Sequence, residues 1–371
     1  MIVGILKEIK IKEDRVCMTP GGVVTMVANG HDVIVEKGAG LGSSFSDAEY
    51  VAAGATIIDA AADVYAKADM VMHVKEPQPS EYAMIRKGQI VFTYLHLAAD
   101  KPQTDGLVAS GATCIAYETV QMADRSLPLL TPMSEVAGRM AIQQGAKALE
   151  AVNGGIGKLI GGVPGVAPAK IMVIGGGVVG VQAAKMACGL GAQVYLLDIN
   201  LDRLRYLEDV MPANCTTIMS SKAAIHELLP QVDLVVGAVL IPGAKAPSVL
   251  TRADLKLMRP KTAIVDVAID QGGCFETSKP TTHTDPTYVV DEIVHYCVAN
   301  IPGAVPLTST MALTNATLPF AVQLANKGWK KACQDNHALA LGLNVHEGKL
   351  TFKGVCDAFD MPYTPVEEVL A

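Results

Sequence analysis

Three glycines with the spacing Gly175-x-Gly177-x-x-Gly180, followed by Asp198, are the residues whose types and positions most directly suggest chemistry. Gly175 permits a tight turn, Gly177 lets a pyrophosphate approach the backbone, and Gly180 lets a helix pack closely on a sheet. Val178 and Val179 complete that turn. Free N–H groups and the dipole at the start of the following helix would then hold phosphates. A carboxylate at position 198 suits ribose hydroxyls and would repel a 2′-phosphate, so the sequence favours NAD over NADP. Arg203 weakens that preference, because an arginine can accommodate the extra phosphate.

A second set of polar residues follows apolar runs. Lys75 comes after ADMVMHV, His96 after VFTYL and Asp270 after VDVAI. In open α/β sheets ligands bind beyond the carboxyl ends of strands, so these residues point to a site. Each has a plainer alternative. Lys75 could be a solvated lysine leaving its strand. His96 could exchange protons near neutral pH, or be a core histidine bonded to a carbonyl. Asp270 could orient water or an amine over the cofactor, or close an Asx turn beside Gly272 and Gly273. Arg15 lies in a charged loop and reads as surface, although its forked guanidinium suits a carboxylate. Asp266, inside a strand run, reads as structural. His31, His73, His283 and His295 have no metal-ligand spacing with another His or Cys, so no metal is expected.

Short apolar runs punctuated by glycine must position these groups. Strands are expected at 1–6, 32–36, 68–74, 89–94, 112–116, 171–174, 193–197, 216–219, 234–238 and 263–268. Helices are expected from Thr19-Pro20 to Asn29, over 47–53, from an N-cap at Ser134 to Ala151, and over 181–190 with Gly191 as the stop. The tail from Thr308 reads as mostly helical and returning to cover the first region. The alternation predicts an α/β fold of two Rossmann-like, doubly wound domains.

Composition limits the alternatives. The chain has 371 residues, half of them hydrophobic, enough for about two domains. A net charge of −7 and the lack of a basic run argue against nucleic acid as a partner. Eight scattered cysteines without a CxxC pattern suit a reducing compartment, hence a cytoplasmic location. Lys7, Glu8 and Lys10 interrupt the N-terminal apolar run, so no signal peptide is expected. The hydrophobic stretch 159–181 contains prolines and many glycines and reads as loop plus buried strand, with no membrane span.

The segments GILKEIKIKEDRVCMTPGGV, HVKEPQPSEY, FTYLHLAAD, VIGGGVVG, VDVAIDQGG, THTDPTYVVDEIVHYCVANIPGAVPLTST and ALTNATLPF resemble the alanine dehydrogenase family, in the family's order and from end to end. That family includes the NAD-binding subunit of proton-translocating transhydrogenase. The resemblance implies a substrate domain of residues 1–128 plus 306–371, with an NAD-binding domain, 129–305, inserted into it. It implies reversible oxidative deamination of L-alanine to pyruvate and ammonium with NAD, and assembly as a homohexamer. It also implies that Arg15 and Lys75 bind substrate, that His96 is the acid–base group, and that Asp270 activates water or takes a proton from ammonia. Ser134, Asp198, Arg203, Ser220, Val239, Leu240, Val267, Ala268, Ile269, Asp270, Val298, Ala299, Asn300 and Ile301 would line the NAD site with the glycine turn. Arginine at 203 replaces an expected lysine, keeping charge but altering contact geometry. A catalytically silent NAD-binding module and a dehydrogenase of a larger amino acid stand as alternatives.

Overall fold

The structure is a computed structural model that describes residues 1–239 and 248–371. It divides into two compact units, Met1–Met133 with Val305–Ala371, and Ser134–Ala304.

The first unit begins with β1 (Ile2–Ile5), α1 (Pro20–Ala28), β2 (Asp32–Glu36), α2 (Asp47–Ala52), β3 (Thr56–Ile58), α3 (Ala61–Lys67), β4 (Met70–Met72), β5 (Ile90–Thr93), α4 (Lys101–Ser110) and β6 (Thr113–Ala116). The strands are parallel and almost wholly apolar, as burial on both faces requires. Helix starts follow local chemistry. The Thr19 side chain accepts from Gly22 N with Pro20 in the first turn, Ser46 and Glu49 form a capping box, and Asp100 accepts from Gln103 N.

A long helix, α5 (Thr131–Ala148), leads into β7 (Lys170–Ile174), α6 (Val178–Gly189), β8 (Gln193–Asp198), α7 (Leu201–Val210), β9 (Cys215–Met219), α8 (Lys222–Leu228), β10 (Leu234–Gly237), β11 (Ala263–Asp266), β12 (Thr287–Val290) and β13 (Ile293–Tyr296). The tail supplies α9 (Pro306–Asp335, interrupted at Gly328, φ 71°), α10 (His337–Gly342), β14 (Leu343–His346), β15 (Lys349–Leu350), α11 (Lys353–Phe359) and α12 (Val366–Leu370).

The first unit carries an eight-stranded sheet, order β15-β14-β6-β5-β4-β1-β2-β3, and the second a seven-stranded sheet, order β12-β13-β11-β10-β7-β8-β9. Both contain the doubly wound order 3-2-1-4-5-6 with antiparallel strands added at one edge, so each is Rossmann-like. One core gathers Leu6, Val64, Tyr65, Val71, Val91 and Leu107. The other gathers Met172, Ile174, Leu197, Val235, Ile264 and Phe275.

Four local expectations change. Helix α5 starts at Thr131, so Ser134 lies inside its first turn and is not its N-cap. Helix α6 starts at Val178, three positions before the expected start, with Gly177 as its N-cap. Gly180 therefore belongs to the helix, where a Cβ would stand 1.8 Å from the Gly175 carbonyl oxygen. Strand β11 stops at Asp266, because that side chain accepts from Ala268 N and turns 267–271 into a 3-10 segment. The tail is not only helical: Leu343, Asn344 and Val345 are buried in β14, which extends the first sheet beside β6.

Candidate functional site

In the first unit the chemistry-bearing side chains sit after neighbouring parallel strands: Arg15 after β1, Lys75 after β4, His96 after β5 and Glu118 after β6. This is the end of the sheet at which such folds bind ligands.

Arg15 is not on the surface. It is 2% exposed, with Nε 2.6 Å and Nη2 2.5 Å from the two oxygens of Glu13, and Nη1 3.0 Å from the Met133 sulfur. Its loop is tied down by Val16 N to the Thr310 hydroxyl and by the Ser43 hydroxyl to the Asp14 carbonyl. Burial alone would lower the guanidinium pKa, but the bond to Glu13 and the charges nearby raise it. The result is a fixed cation with a preset direction, suited to a carboxylate.

Lys75 is partly buried, and its backbone is held at both ends. Its N–H donates to Glu8 Oε1 at 3.3 Å, and its carbonyl accepts from the Thr93 hydroxyl at 2.9 Å. Glu8 also accepts from Val74 N at 2.6 Å and faces His73 Nδ1 at 3.3 Å. His73 is fully buried with Tyr65 and Glu81 on its other side. Burial works against its charged form, but Glu8, Glu81 and Glu36 raise its pKa.

His96 has φ 52°, left-handed backbone that a side chain adopts at a cost of order 1–3 kcal/mol. Glu118 stabilises this conformation by accepting from His96 N at 2.6 Å and Leu95 N at 3.1 Å. The imidazole is exposed, so it is not a core histidine satisfied by a carbonyl. Its Nδ1 lies 3.7 Å from Glu76, whose other oxygen pairs with Lys10. Burial opposes the Glu76 carboxylate ion, but His96, Lys10 and Lys75 outweigh it and hold the pKa well below the usual range.

In the second unit the glycine turn follows β7, at the switch point between β7 and β10. Gly175 has φ 107°, and a Cβ there would meet the Ala238 carbonyl oxygen at 2.6 Å. Among the described residues, a Cβ on Gly177 would meet nothing within 4 Å. Among the described residues no side chain caps the start of α6; uncapped N–H groups at a helix start are a ready anion site. Asp198, at the end of β8, accepts from Gly176 N at 2.7 Å and Asn200 N at 2.8 Å. Arg203 Nε donates to the Gly176 carbonyl at 2.8 Å, with its guanidinium over the Tyr206 ring. Arg203 thus braces the turn.

Ser220 follows β9, with its N–H on the Asp198 carbonyl. Val239 follows β10; Leu240 lies outside the described residues. Val267, Ala268, Ile269 and Asp270 form the 3-10 segment after β11, and Asp270 is exposed. Val298, Ala299, Asn300 and Ile301 follow β13, and Asn300 N donates to Asp270 Oδ1 at 3.2 Å. Val178 and Val179 open α6, and Ser134 lies in α5. Asp266 accepts from Cys274 N, Phe275 N and the Ser278 hydroxyl, a buried structural hub. The first unit therefore gathers Arg15, Lys75 and His96, while Asp270 lies in the second, beside Asn300.

Glu13, Glu76 and Glu118 escaped sequence analysis. Their signal was adjacency: Glu13 stands two residues from Arg15, Glu76 beside Lys75, and Glu118 just past a strand. Among the described residues no group of three or more His, Cys, Asp or Glu could hold a metal ion, and no helix is long and apolar enough to cross a membrane.

A doubly wound sheet with a glycine turn at its switch point and an acid ending the next strand defines a dinucleotide-binding α/β protein. Residues 4–137 match the model of the alanine dehydrogenase/PNT N-terminal domain and residues 141–353 that of the C-terminal domain. The chain belongs to the alanine dehydrogenase/PNT family. It is 55% identical to an alanine dehydrogenase of Halomonas elongata, over 370 residues covering 100% of both chains. It is also 55% identical to an alanine dehydrogenase of Methanococcus maripaludis, again over 100% of both. A solved L-alanine dehydrogenase superposes with a TM-score of 0.94 at 51% identity, covering 97% of this chain and 99% of that one. A transhydrogenase from Sinorhizobium meliloti gives 0.81 at 26% identity, covering 95% and 99%.

Proposed function

We propose that this chain catalyses the NAD-dependent, reversible oxidative deamination of L-alanine to pyruvate and ammonium. What carries the reading is the full-length identity to alanine dehydrogenases in a chain that sets Arg15, Lys75 and His96 at adjacent strand ends. NAD, when bound, supplies the two-electron redox step at the substrate Cα.

The room at Gly177 and the uncapped start of α6 among the described residues, with the braced Asp198, fit that cofactor. Backbone N–H groups there would hold its phosphates, and Asp198 a ribose. Ser134, Arg203, Ser220, Val239, Val267 to Asp270 and Val298 to Ile301 would complete the site.

Arg15 binds the substrate carboxylate, its direction fixed by Glu13. Lys75 holds the carbonyl region from a backbone clamped by Glu8 and Thr93. His96 gives a proton to the substrate oxygen as water leaves in the aminating direction, and takes one back in deamination. Asp270 takes the proton released by the amine or activates water. The substrate domain is 1–128 plus 306–371 and the NAD-binding domain 129–305. The protein is cytoplasmic and assembles as a homohexamer, which light scattering would check.

The test is NADH oxidation by purified protein with pyruvate and ammonium, each omitted in turn. The reading expects oxidation only with both present and L-alanine as product. Oxidation with pyruvate alone would make this a hydroxy-acid dehydrogenase. Tight NADH binding without turnover would favour a silent module or a larger amino acid as substrate.

A further inference from the structure

We propose that Glu76 is a positioning residue for His96: its free carboxylate oxygen sets the imidazole with the proton on Nδ1 and leaves Nε2 for the substrate. The inference rests on the reading above that His96 exchanges a proton with substrate.

Glu76 Oε2 is buried and has no hydrogen-bond partner among the described residues. Native proteins seldom leave a buried carboxylate oxygen unbonded. His96 Nδ1 stands 3.7 Å from it. That is beyond the usual 2.7–3.2 Å of an N–H···O bond, so a shift of about 0.5–1 Å would close it. The exposed imidazole has room to make that shift, and catalytic hydrogen bonds often tighten only when substrate is present.

The backbone leaves the ring direction as the main freedom. Glu118 clamps the amides of Leu95 and His96. The Tyr94 ring stands 5.8 Å from the imidazole, centroid to centroid. Glu76 is fixed in turn, since Lys10 holds its other oxygen. An ionised carboxylate can only accept, so the imidazole nitrogen facing it must carry hydrogen. The other nitrogen is then set by default, as the partner of one ring nitrogen decides the tautomer. The Lys75-Glu76 pair at the end of β4 thus supplies both a substrate cation and the group that aims the acid–base residue.

Glu76→Gln keeps the size and reverses the logic. Lys10 would hold the amide oxygen, turning the amide NH2 toward Nδ1. That nitrogen must then accept, and the proton moves to Nε2, the wrong tautomer. The experiment compares wild type, Glu76→Gln, His96→Ala and the double variant. It measures kcat and KM for pyruvate, NADH affinity, and the imidazole 15N spectrum of histidine-labelled protein.

The expected result is a roughly 10- to 100-fold loss of kcat in Glu76→Gln, the size seen when an orienting partner is removed, with pyruvate KM and NADH affinity little changed. The same change in the His96→Ala background should alter turnover by less than about 2-fold, since residues acting as a unit are not additive. Neutral His96 in the wild type, read without any variant, should carry hydrogen on Nδ1. Hydrogen on Nε2 in the wild type would overturn the proposal. So would wild-type kcat in Glu76→Gln, or an equal loss with and without His96. Full turnover in His96→Ala alone would overturn the acid–base reading and the proposal with it. Loss in His96→Ala beside normal Glu76→Gln would overturn the proposal only.

Discussion

The two units share a strand order, yet they use the end of their first strand in opposite ways. After β7 the chain makes a turn of glycines, and the groups offered are backbone amides. After β1, the corresponding strand, it makes a loop carrying Glu8, Glu13 and Arg15, and the groups offered are side chains. Phosphate binding needs close approach to N–H groups, which any Cβ would obstruct. Holding a small organic acid needs directed charges, and those have to be fixed by partners. Hence the second unit spends few side chains on its ligand, whereas in the first Glu13 serves Arg15, Glu8 serves Lys75 and Glu118 serves His96.

The largest effect should come from the side-chain unit. His96→Ala is expected to lower turnover by about 10²–10⁴-fold, the usual contribution of a general acid–base group. Steady-state rates check this; wild-type rates would remove His96 from the chemistry.

Two glycine substitutions test the backbone unit. Gly180→Ala puts a Cβ 1.8 Å from the Gly175 carbonyl and should destabilise the protein by about 1–3 kcal/mol or more in urea unfolding. Gly177→Ala meets nothing within 4 Å among the described residues and should change stability by less than about 1 kcal/mol. Equal effects would mean that these glycines are not divided between packing and ligand space.

Asp198→Ala should weaken NADH binding roughly 10- to 100-fold and relax discrimination against NADPH, since a hydrogen bond to a charged group is worth about 1.5–3 kcal/mol. Titration with both cofactors measures it. An unchanged preference would shift the selection to Arg203.

The smallest effects are in pH dependence, where the units have opposite signs. His73 has a raised pKa in the folded state, so its contribution is full below about pH 6.5 and fades as pH rises through the raised value. His295, in β13, has its pKa lowered by burial despite its bond to the Ile293 carbonyl. Its contribution is present above about pH 6.5 and is lost as pH falls toward the lowered value. In urea unfolding, the stability gap between wild type and His73→Gln should narrow with rising pH, and that for His295→Gln should narrow with falling pH. Parallel trends would contradict the assignment of the two environments.

The sequence is read most easily where chemistry and backbone geometry coincide. The glycine turn could be placed because its three glycines keep the expected spacing, two of them, Gly175 and Gly180, leaving no room for a side chain, and the strand–turn–helix–strand order surrounds it. Lys75 and His96 were visible because each ends an apolar run. The burial of Arg15 was not visible, because it depends on Thr310 and Ser43, which meet its loop only in the folded chain. The same holds for β14, a run too short to stand out within a helical tail, which becomes a strand by pairing with β6. Glu76 and Glu118 carry no motif in the sequence; their places beside His96 depend on how strand ends align.

The division of labour between the units is tested most directly by NADH titration of His96→Ala and Gly177→Ala, read beside turnover at saturating NADH. The account predicts a crossed result: His96→Ala binds NADH like the wild type and turns over about 10²–10⁴-fold more slowly, while Gly177→Ala binds NADH at least about 10-fold more weakly and recovers turnover when saturated. Loss of both properties in both variants, or normal NADH binding in Gly177→Ala, would contradict it.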